Sequence, residues 1–191
     1  MPNKRKKTDM IIDQAIIVLK SEGDFGISMR KIAGLCDMSL SNLQYYFKNK
    51  DNLLKAMADK YFQQCLNELS QLPSIDTEEQ VFALISAKLS QLNELSDMCR
   101  IFREYWAIST RNSVIDTYLV TYYQRAVDIL ATKLKPLAAD PKYSLAASAM
   151  LMTLIEGYSV TAKSMPMPAG NVAHLSSNMV CAILRGDENG I

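Results

Sequence analysis

Apolar residues recur at spacings of three and four along nearly the whole chain, the period of an amphipathic helix, and no segment shows the strict alternation of a half-buried strand. Ile11, Ile12, Ala15, Val18 and Leu19 form the first stripe, which Thr8 opens as a cap and Glu22-Gly23 closes. Ser28 caps a short second helix whose narrow apolar face is Ile32, Ala33 and Leu35. Cys36, Asp37 and Met38 make a three-residue turn, in which Asp tolerates left-handed backbone angles better than most residues. Ser39 then caps a third helix, Leu40 to Phe47, that sends Leu43 and Phe47 inward on one row and leaves Ser41, Asn42, Gln44 and Tyr45 outside.

Six more helical segments follow. The fourth helix runs from about Lys50 to Leu72 and turns Leu53, Leu54, Met57, Tyr61 and Cys65 inward before Pro73-Ser74 stops it. Thr77-Glu78-Glu79-Gln80 is a capping box opening a helix to about Leu95. Asp97 caps the next, which carries Ile101, Phe102, Tyr105 and Trp106, and Ser113 starts one stopped by Pro136. Asp140-Pro141 supplies a cap and a first-turn proline for a helix to Lys163, and Asn171 caps a last helix that Gly186 ends behind Arg185. The fold class is therefore all-α, with about nine helices and no internal repeat.

Two short capped helices joined by a tight turn, the second with small polar and aromatic side chains outward, form a helix-turn-helix suited to a major groove. The order of apolar helix, Gly23, Ile27-Ser28, Arg30-Lys31-Ile32-Ala33, Met38-Ser39, Leu43, Tyr45-Tyr46-Phe47, Lys50 and Leu53-Leu54 resembles the TetR family of bacterial transcriptional regulators, over roughly Met10 to Leu54. Gln44 stands where that family usually carries Tyr, and Asp37 where it usually carries Gly. The resemblance implies a homodimer with an all-helical ligand-binding body, in which a ligand alters the spacing of two reading heads on an operator. On that reading residues 1–49 are a DNA-binding domain and 50–191 a ligand-binding and dimerisation domain, with 50–72 as connecting helix. Ser28, Ser39, Tyr45, Tyr46 and Lys50 are candidates for the phosphates, Arg30, Ser41, Asn42 and Gln44 for base edges, and Lys31 is a further DNA-binding candidate.

Charge distribution fits a reader joined to a sensor. The formal net charge is +1, but residues 1–60 hold 11 Lys+Arg against 7 Asp+Glu, a net of +4, and the remaining residues 10 against 13, a net of −3. Four of the cations form the run Lys4-Arg5-Lys6-Lys7, either a solvated tail or an arm for phosphates or the minor groove. The polar start lacks a secretory apolar region, and no run of about 18 uncharged apolar residues follows, so a cytoplasmic protein with no membrane span is expected. Cys36, Cys65, Cys99 and Cys181 are scattered without metal-site or disulfide spacing; they read as small buried hydrophobes, with redox sensing by Cys65 or Cys99 as the alternative. Neither a metal nor a cofactor is expected.

The helix from Pro141 is apolar or small on all its faces, so it needs cover on all sides. A second subunit would supply part of that cover, with Val172, Leu175, Met179 and Ile183 of the last helix beside it in a four-helix interface; the alternative is that both helices close the monomer core. Phe102, Tyr105, Trp106, Tyr118, Tyr122 and Tyr158, with Met150 and Leu154, are candidates to line an effector pocket, against the plainer reading as core. Glu156 is the only acid between Tyr143 and Ala182, so it is either a structural ion pair with Arg103, Arg111 or Arg125 or the counter-charge for a hydrophobic cation; a neutral hydrophobic effector is the other possibility. An all-helical enzyme would rest on the single histidine, His174, seven residues before Cys181, and a protein-binding adaptor would make the basic head incidental.

Overall fold

The computed structural model describes residues 2–93 and 97–187, with side chains for 4–92 and 99–187. Nine α-helices appear among these residues, and no strand. They are α1 (Pro2–Gly26), α2 (Met29–Leu35), α3 (Leu40–Tyr46), α4 (Lys50–Gln71), α5 (Glu78–Asn93), α6 (Asp97–Ser109), α7 (Ser113–Leu134), α8 (Pro141–Thr161) and α9 (Ala169–Arg185). They divide into two compact units: residues 1–65 with 100–121, and residues 66–99 with 122–191.

In the first unit the stripe of Ile11, Ile12, Ala15, Val18 and Leu19 is buried together with Ile27, Ile32, Ala33, Leu43, Phe47, Leu53 and Met57. Helix ends are set by short-range chemistry. Ser28 Oγ accepts from Lys31 N–H at 3.2 Å and Ser39 Oγ from Asn42 N–H at 3.2 Å, so each cap satisfies a first-turn donor. Asp37 sits at φ 51, and the N–H groups of Asp37 and Met38 return to Gly34 and Ala33 carbonyls, the left-handed stop that ends α2. Gly23 takes φ 70 and ψ −173, a conformation open only to glycine, and breaks α1 there.

Several expectations need correction. Thr8 is not a cap: α1 begins six residues earlier, at Pro2, and the Thr8 hydroxyl donates back to Lys4 O at 3.0 Å inside the helix. Asn171 is likewise internal, because Pro168 precedes the first turn of α9. Leu35 is exposed rather than core, since α2 is only two turns long and its last residue passes beyond the core. The Asp97 cap and the helix end near Leu95 lie outside the described residues or side chains.

In the second unit α5 packs against α8 and α9, and α8 against α9. Small side chains allow the close approach: Ser144, Ala147 and Ser148 of α8 and Ala173, Ser176 and Ser177 of α9 are buried. The Ser148 hydroxyl donates to Ser144 O at 2.7 Å, so it leaves no unmet polar group. Asp140 caps α8 through Lys142 N–H at 2.8 Å, and Gly186 at φ 73 closes α9 with Asp187 N–H on Ala182 O at 3.0 Å. Pro141–Ser164 is long and apolar enough to cross a membrane, with a mean hydropathy of 1.3, contrary to the sequence expectation; a third of that span is buried, where α8 packs against α5 and α9. Even so, Leu145, Met150 and Val160 of α8 and Leu175 of α9 remain exposed, Val160 by 64% and Leu175 by 60%.

Candidate nucleic-acid interface

Helix α3 is held from behind by Leu43, which is fully buried, so its opposite side is fixed in direction. That side presents Ser41, Asn42, Gln44 and Tyr45, all exposed. Ser39 Oγ lies 3.0 Å from Ser41 Oγ and shares the edge of the same face. Tyr46 is half-buried and meets Tyr45 edge-on, with ring centroids 5.3 Å apart. Lys4 Nζ lies 4.7 Å over the Tyr45 ring. On α2, Ser28 and Arg30 are exposed, whereas Lys31 is half-buried and ion-paired with Glu22.

Lys50 stands apart from this face. Its ammonium donates to Asp24 O at 2.7 Å and pairs by charge with Asp24 Oδ1 at 2.9 Å. Arg111 donates to Asp24 Oδ2 at 2.8 Å, and Glu104 Oε2 accepts Asp24 N–H at 2.9 Å. Burial alone would push the Asp24 carboxyl up, but Lys50 and Arg111 together hold it below its ordinary value. The φ at position 23 favours glycine, and a Cβ there would stand 3.0 Å from Glu104 Oε2, so that carboxylate would have to give way. This knot at the α1–α2 turn was not visible in the sequence, because its members are up to 87 residues apart.

The nine candidate effector residues fall in both units. In the first, Phe102 and Tyr105 are buried, Tyr118 is half-buried under Lys55, and Trp106 is exposed. Phe102 stacks on Phe62 at 5.0 Å, and the Tyr105 hydroxyl, pushed up by burial, donates to Leu54 O at 2.9 Å. In the second unit Tyr122 and Tyr158 are buried, Leu154 and Glu156 are half-buried, and Met150 is exposed. Burial raises the Glu156 carboxyl, and a hydrogen bond with Tyr123 opposes the rise. Arg111, one of three candidate partners for Glu156, is engaged by Asp24 instead. A shallow groove of 480 Å³ is lined by Tyr123, Gln124, Val127, Asp128 and Leu145, none of them among the nine.

Cys65, Cys99 and Cys181 are buried and Cys36 partly so. Burial raises the Cys36 and Cys181 thiols, which keeps both protonated at neutral pH. His174 stacks on Phe82 with centroids 4.4 Å apart.

A short polar helix, capped and held from behind on a buried three-helix core, defines a helix-turn-helix DNA-binding regulator. No protein-family model matches the chain. An HTH-type transcriptional regulator in the dhlA 5′ region of Xanthobacter autotrophicus is 45% identical over 183 residues, 94% of this chain and 91% of the relative. A solved transcriptional regulator of Streptomyces coelicolor A3(2) superposes with a TM-score of 0.75 at 16% identity, covering 96% of this chain and 99% of its own. A solved TetR-family regulator of Mesorhizobium loti does so with a TM-score of 0.69 at 18% identity, covering 95% and 96%. The chain belongs to the HTH-type transcriptional regulators and has the fold of TetR-family regulators.

Proposed function

We propose that this regulator is a cytoplasmic homodimeric repressor that binds a palindromic operator and is released by a small hydrophobic effector. Residues 1–49 would read DNA, and residues 50–191 would bind ligand and dimerise, with 50–72 connecting them. The observation that carries the reading is the exposed row Ser41, Asn42, Gln44 and Tyr45 on a helix anchored by buried Leu43. Ser28 and Ser39 each accept a backbone N–H, and their hydroxyls can in turn donate a hydrogen bond to a phosphate oxygen, Ser39 by rotating away from Ser41. The exposed Leu145, Met150, Val160 and Leu175 favour a second copy as cover for α8 and α9. Such a dimer would address two half-sites one helical turn apart, roughly 34 Å in B-DNA.

Selecting bound duplexes from a random pool tests this directly. A two-fold symmetric consensus is expected, and recovery of no preferred sequence would overturn the operator reading. With that duplex, Asn42→Ala and Arg30→Ala should relax sequence choice, each good base contact being worth roughly 1–3 kcal/mol of discrimination. Tyr45→Phe should weaken operator and random duplex alike. Equal losses on both duplexes from all three substitutions would refute the division of roles.

For the effector, Glu156 supports a hydrophobic cation: burial disfavours the charged carboxylate, and a cation beside it would stabilise that charge. Two neighbours of the same fold, at 17% and 18% identity, were solved as complexes, the multidrug binding protein EbrR with malachite green and SmeT with triclosan. Calorimetric titration of an aryl cation and its neutral isostere against wild type and Glu156→Gln separates the two chemistries. The cation should lose about tenfold in affinity on substitution, the worth of a hydrogen bond to a charged group, and the isostere almost nothing. Equal cation affinity for both proteins would dismiss the cationic effector.

A further inference from the structure

We propose that the first two turns of α1 are a second DNA-contacting element, a basic overhang that grips the phosphate backbone beside the sequence read by α3. The inference rests on the reading that α3 enters the major groove. Along α1, Lys4, Lys7, Ile11, Ala15 and Val18 lie on one row at spacings of three and four. From Ile11 onward this row is buried in the head; its first two members are exposed lysines. The helix therefore runs on past its own core, about 10 Å from residue 4 to residue 11 at 1.5 Å per residue, and the core-facing stripe turns from apolar to basic where it does so. Lys4 Nζ, 4.7 Å over the Tyr45 ring, places the overhang at the outward face of the recognition helix.

The charge run is costly in the free head. Lys4, Arg5, Lys6 and Lys7 crowd four cations into one turn, where neighbours at i, i+3 repel. They stand at the helix N-terminus, where the macrodipole already carries partial positive charge and where α1 has no acid in its first turn. An exposed cation–π contact contributes only about 0.5–1 kcal/mol, and Tyr45 is 69% exposed. An arrangement unfavourable in the free protein is relieved by an external polyanion, and the duplex addressed by Tyr45 is the polyanion continuous with this surface. Binding would be to phosphates and would carry no sequence information.

The test uses the full chain and two surface variants, Lys4→Gln/Lys7→Gln and the quadruple Lys4→Gln/Arg5→Gln/Lys6→Gln/Lys7→Gln. Each is titrated against the selected duplex and against a random-sequence duplex of equal length, from about 50 to 200 mM salt. Removing like charges leaves the fold intact, which the thermal transition of each variant verifies. The double variant loses two phosphate contacts on each head of the dimer, so the slope of log affinity against log salt should fall by about 3.6, and over this range wild type should weaken on the order of 100-fold more than the double variant. Both duplexes should be affected equally, with the consensus unchanged. If wild type binds its consensus while the quadruple variant keeps the same affinity and slope, the overhang has no part in DNA binding and the proposal falls alone. A change in consensus would overturn it as well, by making the contact one of base readout. Absence of any duplex binding by wild type would instead remove the reading of α3 on which it rests.

Discussion

Leu175→Glu is expected to yield a folded monomer whose affinity for a palindromic duplex is about 10²–10⁴-fold below that of wild type, the range over which a linked second contact is lost. Leu175 is 60% exposed, so a carboxylate there disturbs no monomer packing. At a subunit interface the same carboxylate would lie unpaired against Leu145, Met150 or Val160 of an apolar face, and burying it would cost several kcal/mol. Sedimentation of both proteins at micromolar concentration checks the assembly, and duplex titration checks the consequence. A wild-type monomer, or a Leu175→Glu dimer that binds as well as wild type, would refute the interface on α8 and α9.

Asp24→Ala should destabilise the protein by about 2 kcal/mol. Breaking a fully buried ion pair costs roughly 3–5 kcal/mol, but the side chains of Lys50 and Arg111 are 34% and 46% exposed and can recover water, so the loss falls below that range. The dependence on pH has a defined sign. Because the folded carboxyl titrates below its ordinary value, the stability it contributes is complete above about pH 4 and is lost as pH falls through the folded pKa. Asp24→Asn should therefore narrow its stability gap to wild type in acid, as measured by urea midpoints from pH 7 downward. A gap that persists unchanged below that pH would show that the carboxylate charge is not what holds the knot. Since Asp24 joins the α1–α2 turn to the start of α4, the same variant should also bind duplex more weakly at temperatures where it remains folded.

What was legible in the sequence was what acts within a turn or two of helix. Caps at Ser28, Ser39 and Asp140 and the left-handed stops at Asp37 and Gly186 reach only two to five residues along the chain. Apolar rows such as Ile11, Ala15 and Leu19 repeat once per turn, so residue order alone displays them. The same reach explains the errors at Thr8 and Asn171. Each is a good cap by type, but a helix begins where tertiary packing or further helix formers allow, and α1 and α9 both start earlier.

The sequence by itself determined the all-α class, the helix-turn-helix and its outward polar row, because these follow from side-chain period and local hydrogen bonding. Only the tertiary structure decided that Lys50 and Arg111 converge on Asp24, that Glu104 caps the Asp24 N–H, that Leu35 faces solvent, and that the basic run extends α1 with Lys4 over Tyr45. Charged side chains carry no periodic signal that names a partner, and an ion pair between residues 24 and 111 exists only once separate helices have packed and brought them within reach.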